Sequence, residues 1–526
     1  MMSWIRAGRG DPSIALSRQD LFLRLPARDA AEPRGRPAAS RANRLDSLIF
    51  QASHASLGQG QPISSEPMPS PRPSPLTSLL AAPAVRAAAR ALIAAVAEQT
   101  SELALSPKAY ARALHELERR RGRPLIFPAL LGGQGRGARV RLADGTWKLD
   151  FVGGIGVYGF GHSDPDLLET AVVAAAADTV FQGHLFPGPE YLRLSRALLR
   201  HAGKRLAHAW LSVSGAIANE NALKIVLQKH SPADHIVVFE RGFAGRTLSL
   251  AELTDKPAFR EGLPLRGNVL LIPFHDPDDA DSTRKSVAAL DAHLARFPGR
   301  VAAMHFELVQ GEGGFHTAPQ AFFAALMQRC REAGIAVWVD EVQTFARTGE
   351  LFAFRSFGLE EWVDVVTAGK TLQGSAVLFS RAYNPRPGLV AGTYAGATVG
   401  MAVGARIIER LESEGYLGPD GRIALLGGRV ERRFESLRRR LPRAVSGRSG
   451  QGAMQAFVPF DGSPETVSAV LAAAFEEGLL VWSAGAKPGK IRLLLPVNVT
   501  DEELEAGFAM LEKALARVGE QRGLAC

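Results

Sequence analysis

The sequence predicts an α/β protein: a large domain on a mostly parallel, doubly wound sheet, plus a smaller α/β domain assembled from both ends of the chain. Three observations carry that expectation. Between about residues 165 and 380, short β-rich runs alternate with amphipathic helical stretches, the pattern of βαβ units. A hairpin pattern precedes this region and a helical then αβ pattern follows it. The length of 526 residues, with 46% hydrophobic and 22% charged, is ordinary globular composition with room for more than one core.

Residues 1–77 are rich in Arg, Pro, Ser and Ala without an apolar period and end in "PMPSPRPSPLT", so a disordered extension and linker is expected there. A transit peptide is the other reading of this start, but Asp11, Asp20, Asp29, Glu32 and Asp46 give it too many acids. Residues 78–164 read as N-terminal helices, to about residue 121, and a small-domain segment. In that segment "ARVRLADGTWKLDF" (138–151) alternates about Asp144-Gly145 as a hairpin would. "GIGVYG" (154–159) fits G-x-G-x-x-G, yet "FGHSDPD" separates it from the next helix, whose N-cap and first turn are Asp164 and Pro165. No nucleotide site is assigned to it.

Residues 165–398 are expected to form the large domain. Its strands are "HIVVFE" (235–240), "NVLLIPF" (268–274), "VAAMHFEL" (301–308), "IAVWVDEV" (335–342) and "VDVVTAG" (363–369). Helices lie between several of them, such as "AFFAALMQRCREAG" (321–334), closed by Gly334. Residues 399–526 are helical first and then contain the strand "KIRLLLPV" (490–497), the C-terminal share of the small domain.

Composition excludes several function classes. The net charge is +9, but the first 100 residues hold twelve Arg against seven acids, and only 11 Lys occur in the chain. This is an arginine bias without the clustered basic and aromatic residues of a nucleic-acid footprint. The most apolar stretch, "LLAAPAVRAAARALIAAVA" (79–97), is broken by Pro83, Arg86 and Arg90, so no membrane span is expected. Cys330 and Cys526 are the two cysteines, which excludes a disulfide framework and a cysteine metal site and suggests a reducing, cytoplasmic setting.

The chemistry concentrates at strand ends. "VWVDEVQTF" (337–345) places Asp340, Glu341 and Gln343 straight after a core strand. Burying a charge costs several kcal/mol unless it is paired. In open parallel sheets ligands bind beyond the carboxyl ends of the strands, and Lys370 of "VVTAGKTLQ" occupies another such end. Alone, an acid and a lysine there would read as a buried salt bridge. Three further stretches favour a site. "LSVSGAIANENALKIV" (211–226) is a strand, a turn and a helix whose free N–H groups and dipole suit a phosphate. "FERGFAGRTLS" (239–249) sets an aromatic, a glycine and an arginine after the next strand, and "FELVQGEGGF" (306–315) adds acids and glycines after another.

In this order, SGAIANENALK, FAGRT, FELVQGEGG, WVDEVQT, AGK, TYAG and IRLLLP resemble the motifs of the class III aminotransferases, from about residue 124 to 516. These are pyridoxal-phosphate enzymes of fold type I. The resemblance implies that Lys370 carries the cofactor as a Schiff base and moves the proton. Asp340 would hold the protonated pyridine nitrogen, which makes the ring an electron sink. Gln343 would bond the phenolic oxygen, Val342 and Phe243 would flank the ring, and Gly215 and Ala216 would bind the phosphate. Thr393 would add a hydroxyl from a second subunit, implying a homodimer with shared sites. Glu341 points the other way by strand alternation and is expected to be structural.

The same resemblance gives substrate roles. Arg246 would bind a distal carboxylate, Arg492 an α-carboxylate, and Glu312 would pair with Arg492 when the substrate has no α-carboxylate; an Arg–carboxylate fork is strong and directional. The implied reaction moves the amino group of an ω-amino acid (4-aminobutyrate, acetylornithine, ornithine or lysine) to 2-oxoglutarate. An aminomutase or another non-transferring relative would keep Lys370 and Asp340; the two arginines with Glu312 argue for dicarboxylate exchange. Ile217 and Ala244 stand where the family usually has Glu and often His, and the segment after Lys370, which lacks the usual Gly-rich run, is closer to lysine ε-aminotransferases and the longer 4-aminobutyrate aminotransferases.

Overall fold

Short strands satisfy their backbone groups by pairing with one another, and among the described residues this chain does so in three sheets. The computed structural model describes residues 75–125, 127–178 and 185–524. The expectation for residues 1–77 lies outside these up to residue 74, as does Cys526. At its end that expectation is corrected: Pro75–Ala81 is helix, opened by a proline whose fixed φ suits the first turn.

Strands β1 (Leu131–Arg136), β2 (Arg139–Leu142) and β3 (Trp147–Asp150) form an antiparallel meander. The β2–β3 turn is the expected one: Thr146 N–H donates to Asp144 Oδ1 at 2.9 Å and Gly145 takes φ of 91°. Next come β4 (Leu206–Ser212), β5 (His235–Phe239), β6 (Val269–Ile272), β7 (Val301–Phe306), β8 (Ala336–Glu341), β9 (Val365–Ala368) and β10 (Ser375–Ser380). They make one sheet in the order β4-β10-β9-β8-β7-β5-β6. All neighbours among β6, β5, β7, β8 and β9 are parallel, and β10 runs antiparallel to both β9 and β4. The fold is thus the expected mostly parallel α/β one. The sequence pattern did not single out β10, "SAVLFS", because no helix separates it from the Lys370 turn.

The C-terminal region adds β11 (Ser446–Gln451), β12 (Met454–Val458), β13 (Leu479–Leu480), β14 (Trp482–Ala484) and β15 (Lys490–Leu494). Four of these form the sheet β11-β12-β15-β14. The fifth, β13, pairs in parallel with β3, so the N-terminal meander is completed by a C-terminal strand. Among the described residues no helix is long and apolar enough to cross a membrane.

Register places the site. Asp340 pairs with Thr367 and Glu341 with Ala368 across β8–β9, so Lys370 follows two residues past the tip of the strand beside Asp340. Phe306 pairs with Val339 across β7–β8, which sets Glu307 beside the same tip.

Candidate active site

The acid at the tip of β8 is held by donors. Buried Asp340 accepts from Asn219 Nδ2 at 2.6 Å and from the N–H of Val342 at 2.8 Å. Asn219 is fixed in turn: its Nδ2 also donates to Ala244 O at 2.7 Å and its Oδ1 accepts from Thr367 Oγ1 at 2.6 Å. His305 Nε2 lies 3.5 Å from Asp340 Oδ2. Glu341, on the opposite face, accepts from the Thr344 hydroxyl and from Phe354 N–H at 2.9 Å. Burial pushes its carboxyl up to about 7. Its bonds bind β8 to the following turns and leave it no part in the cluster around Asp340.

Lys370 opens a short 3-10 turn with φ of 46°. A left-handed non-glycine residue costs roughly 1–2 kcal/mol, so the surrounding structure must impose it. The glycine-rich stretch supplies part of that brace. Thr371 Oγ1 donates to Gly156 O at 3.2 Å, Arg347 Nη2 donates to the same oxygen at 2.9 Å, and a Cβ on Gly159 would sit 2.5 Å from Thr371 Cγ2. "GIGVYG" therefore packs on the turn that carries the lysine. Burial, and then the nearby charge of Arg492, lower the Lys370 amine to about 8, against the opposing pull of Glu312, Glu307 and Asp340.

Glycines shape the space around these groups. A Cβ on Gly215 would approach Val342 Cγ1 to 2.6 Å, one on Gly369 would meet the same methyl at 3.2 Å, and one on Gly311 would meet Gln343 Oε1 at 2.5 Å. The Gln343 Oε1 atom is buried without a hydrogen-bond partner. The helix Gly215–His230 is capped by Ser214, whose hydroxyl accepts from Ile217 N–H at 3.3 Å. The N–H groups of Gly215 and Ala216 have no intrahelical acceptor. Glu307 ties two loops to this space: it accepts from Phe243 N–H at 3.0 Å and from Gly311 N–H at 2.9 Å. Burial, and next the Asp340 charge, push its carboxyl up to about 8.

A string of charges leads away from Lys370. Arg492 is 1% exposed, and its Nη1 lies 2.7 Å from Glu312 Oε1 and donates to Gly311 O at 3.3 Å. Its Nε and Nη2 are buried without partners. Burial raises the Glu312 carboxyl, but the charge and hydrogen bond of Arg492 outweigh it and hold the group below the usual carboxylate range. Lys256 Nζ stands 3.9 Å from the other oxygen of Glu312 and 4.4 Å from the centre of the Phe259 ring. Over that same ring, at 3.4 Å, lies the guanidinium of Arg246, an exposed residue.

Asp340, Val342, Gln343, Lys370, Gly215, Ala216, Phe243, Glu312 and Arg492 thus converge at the strand tips, and Arg246 joins them through Phe259. Thr393 is not drawn in; it is exposed, next to Tyr394, which lines a cavity of about 230 Å³ with Val213 and Ser375. Asn219, Glu307, Lys256, Phe259 and Gly311 belong to the cluster but carried no assignment in the sequence. Glu307 had a signal, since it too is an acid following a core strand. Pyridoxal phosphate would suit these residues: its ring nitrogen would need an acid such as Asp340, its phenolic oxygen a polar side chain such as Gln343, and its phosphate N–H groups such as those at the start of the helix Gly215–His230. The unpartnered Oε1 of Gln343 leaves that side chain open to a further polar partner, and the bare backbone at 215, 311 and 369 lets Val342 and Gln343 pack closely enough to hold one edge of a flat ring.

Comparison with known proteins gives a family match over residues 126–515, to aminotransferase class-III. A 2-aminoadipate transaminase of Pseudomonas putida is 33% identical over 416 residues, 75% of this chain and 97% of that protein. A probable 4-aminobutyrate aminotransferase of Bacillus subtilis is 32% identical over 414 residues, 73% of this chain and 92% of that one. Among solved structures, a lysine aminotransferase of M. tuberculosis superposes with a TM-score of 0.70 at 23% identity, covering 77% of this chain and 99% of that chain. A Bacillus anthracis aminotransferase does so with 0.71 at 21%, covering 79% and 100%.

Proposed function

This chain belongs to the class III aminotransferases, which are pyridoxal-phosphate-dependent, and from that membership we propose that it moves the amino group of an ω-amino acid to 2-oxoglutarate. The observation that carries the choice of substrate is Arg492. A buried guanidinium held at 2.7 Å by Glu312, with Nε and Nη2 unpartnered, is a carboxylate receptor with its own removable cover. Relatives named for 2-aminoadipate, 4-aminobutyrate and 5-aminovalerate support a site for amino acids that carry a charged far end.

Pyridoxal phosphate, when bound, supplies the electron sink for charge developing on the amine-bearing carbon. The chain's residues do the rest. With its pKa at about 8, the Lys370 amine keeps roughly a tenth to a quarter of its population as free base between pH 7 and 7.5, far more than an ordinary lysine, which is what a nucleophile and proton carrier needs. Asp340, held by Asn219 and by the Val342 N–H, would favour a proton on the ring nitrogen of the bound cofactor. Gly215 and Ala216 would anchor the phosphate with backbone N–H groups, Gln343 would orient the ring through its phenolic oxygen, and Val342 and Phe243 would close its two faces. Arg246 takes the distal carboxylate common to both substrates. Arg492 takes the α-carboxylate of glutamate or 2-oxoglutarate, and Glu312 returns to it when an ω-amino acid enters. Thr393, exposed in one copy, contributes its hydroxyl to a second copy, which makes the working unit a homodimer.

The test separates the two halves of the reaction. Glutamate should release one equivalent of 2-oxoglutarate per site in a single turnover, and a panel of 4-aminobutyrate, acetylornithine, ornithine and lysine should identify the donor. Arg492→Ala should harm the glutamate half more, and Glu312→Gln the ω-amine half more, by about tenfold to a thousandfold, since losing a charge-assisted pair costs roughly 2–5 kcal/mol. Release of no 2-oxoglutarate, or equal losses in both halves, would refute the proposal.

A further inference from the structure

A substrate carboxylate reaches Arg492 only if Glu312 leaves it, and a partly buried carboxylate cut off from its cation loses the interaction that keeps it charged. The destination is already in place. Glu312 Oε1 faces Arg492 at 2.7 Å while Oε2 faces Lys256 at 3.9 Å, so the carboxylate stands between two cations and is closer to one of them. The backbone around Lys256 is bound to the loop that carries Phe243 and Arg246. Asp255 N–H donates to Gly242 O at 2.9 Å, Asp255 Oδ2 accepts from Arg241 N–H at 2.7 Å, and Thr254 Oγ1 accepts from Ala244 N–H at 3.0 Å. Phe259 supports the ammonium from one side. Burial, with Arg492 and Arg246 nearby, lowers the lysine's pKa against the opposing charge of Glu312, so Lys256 gains from any anion that approaches.

We propose that Lys256 is the second seat of the Glu312 carboxylate, occupied when a substrate carboxylate holds Arg492, and that it sets how well the site accepts dicarboxylates. The inference rests on the substrate roles given above to Arg492 and Glu312. Charge supports it: Glu312 is acted on by Arg492, Lys256 and Lys370, and Lys256 in turn feels Arg492 and Arg246, so a second carboxylate entering this corner meets mostly positive charge. Without Lys256 the displaced Glu312 would stand unpaired, and the bound dicarboxylate would meet it as a like charge.

The test uses glutarate, a dicarboxylate without a reacting group, and pentanoate, its monocarboxylate counterpart, titrated into the cofactor-loaded protein by calorimetry. Lys256→Met should weaken glutarate about tenfold and pentanoate less than twofold, and Lys256→Arg should restore most of the glutarate affinity. In a Glu312→Gln background, where no carboxylate needs reseating, Lys256→Met should change glutarate binding less than twofold. Equal losses for both ligands, or an undiminished loss in the Glu312→Gln background, would overturn the proposal by showing that Lys256 touches the ligand itself. Unchanged glutarate binding in Lys256→Met would overturn it as well. A wild-type protein that binds glutarate no better than pentanoate would instead sink the role of Arg492 on which it rests.

Discussion

Lys370 can be probed without any substrate. Burial and Arg492 bring its amine from 10.5 to about 8. At pH 7.5 roughly a quarter of such an amine is free base, against about one part in a thousand for an ordinary lysine, a gain on the order of 250-fold in reactive species. Protein stripped of cofactor should therefore be methylated at Lys370 by formaldehyde and cyanoborohydride with a midpoint near pH 8, read by peptide mass spectrometry against free acetyl-lysine. Stability should follow with a defined sign. The unfolded chain binds the lysine proton between about pH 8 and 10.5 and the folded chain does not, so the stability of the stripped protein rises with pH across that window. A drop from 10.5 to about 8 corresponds to roughly 3 kcal/mol. The difference between wild type and Lys370→Met in urea unfolding at pH 8 and pH 10 should show most of it. A labelling midpoint above pH 10, or the same pH slope in Lys370→Met, would refute the idea that burial has primed this amine.

Three other expectations follow from particular contacts. Asp340→Asn should lower turnover at least a hundredfold and loosen the cofactor. The new amide would turn an NH₂ toward either Asn219 Nδ2 or Val342 N–H, both of which are donors, and a donor left unpaired costs about 1–3 kcal/mol; spectroscopic cofactor titration and kcat measure the two effects. Gly311→Ala should weaken cofactor binding about tenfold in an absorbance titration, because its Cβ would lie 2.5 Å from Gln343 Oε1 and push the amide aside. Glu169→Ala should leave turnover unchanged but speed proteolysis within the helix Pro83–Glu102. Its carboxylate holds Arg86 at 2.5 Å and Arg90 at 2.6 Å, and since both arginines are well exposed the cost in global stability should be about 1 kcal/mol or less.

What was legible in the sequence was whatever repeats locally. Strands β5 to β9 announce themselves as apolar runs bounded by helices, and an acid or lysine just past such a run must lie at the sheet's ligand-binding edge. Asp340 and Lys370 were readable for that reason, and so was the structural character of Glu341, because the two-residue period of a strand fixes opposite faces. The same logic did not separate Glu307 from Glu312. Both acids follow β7 within one glycine-rich stretch, and only the packed turn decides that Glu307 takes the N–H groups of Phe243 and Gly311 while Glu312 meets Arg492. Lys256 and Phe259 were further out of reach. They lie at and within the single-turn helix Pro257–Arg260, too short to show a period, and what sets them apart is contact with Arg246 and with Glu312, a residue 56 positions from Lys256 along the chain. A propensity has a local cause, whereas an ion pair between two loops exists only after the sheet has brought their ends together. The strand-tip edge of such a fold is therefore written in its strands, and the arrangement around it in the meeting of its loops, which is where substitutions at Lys256 are expected to act without disturbing β8 or β9.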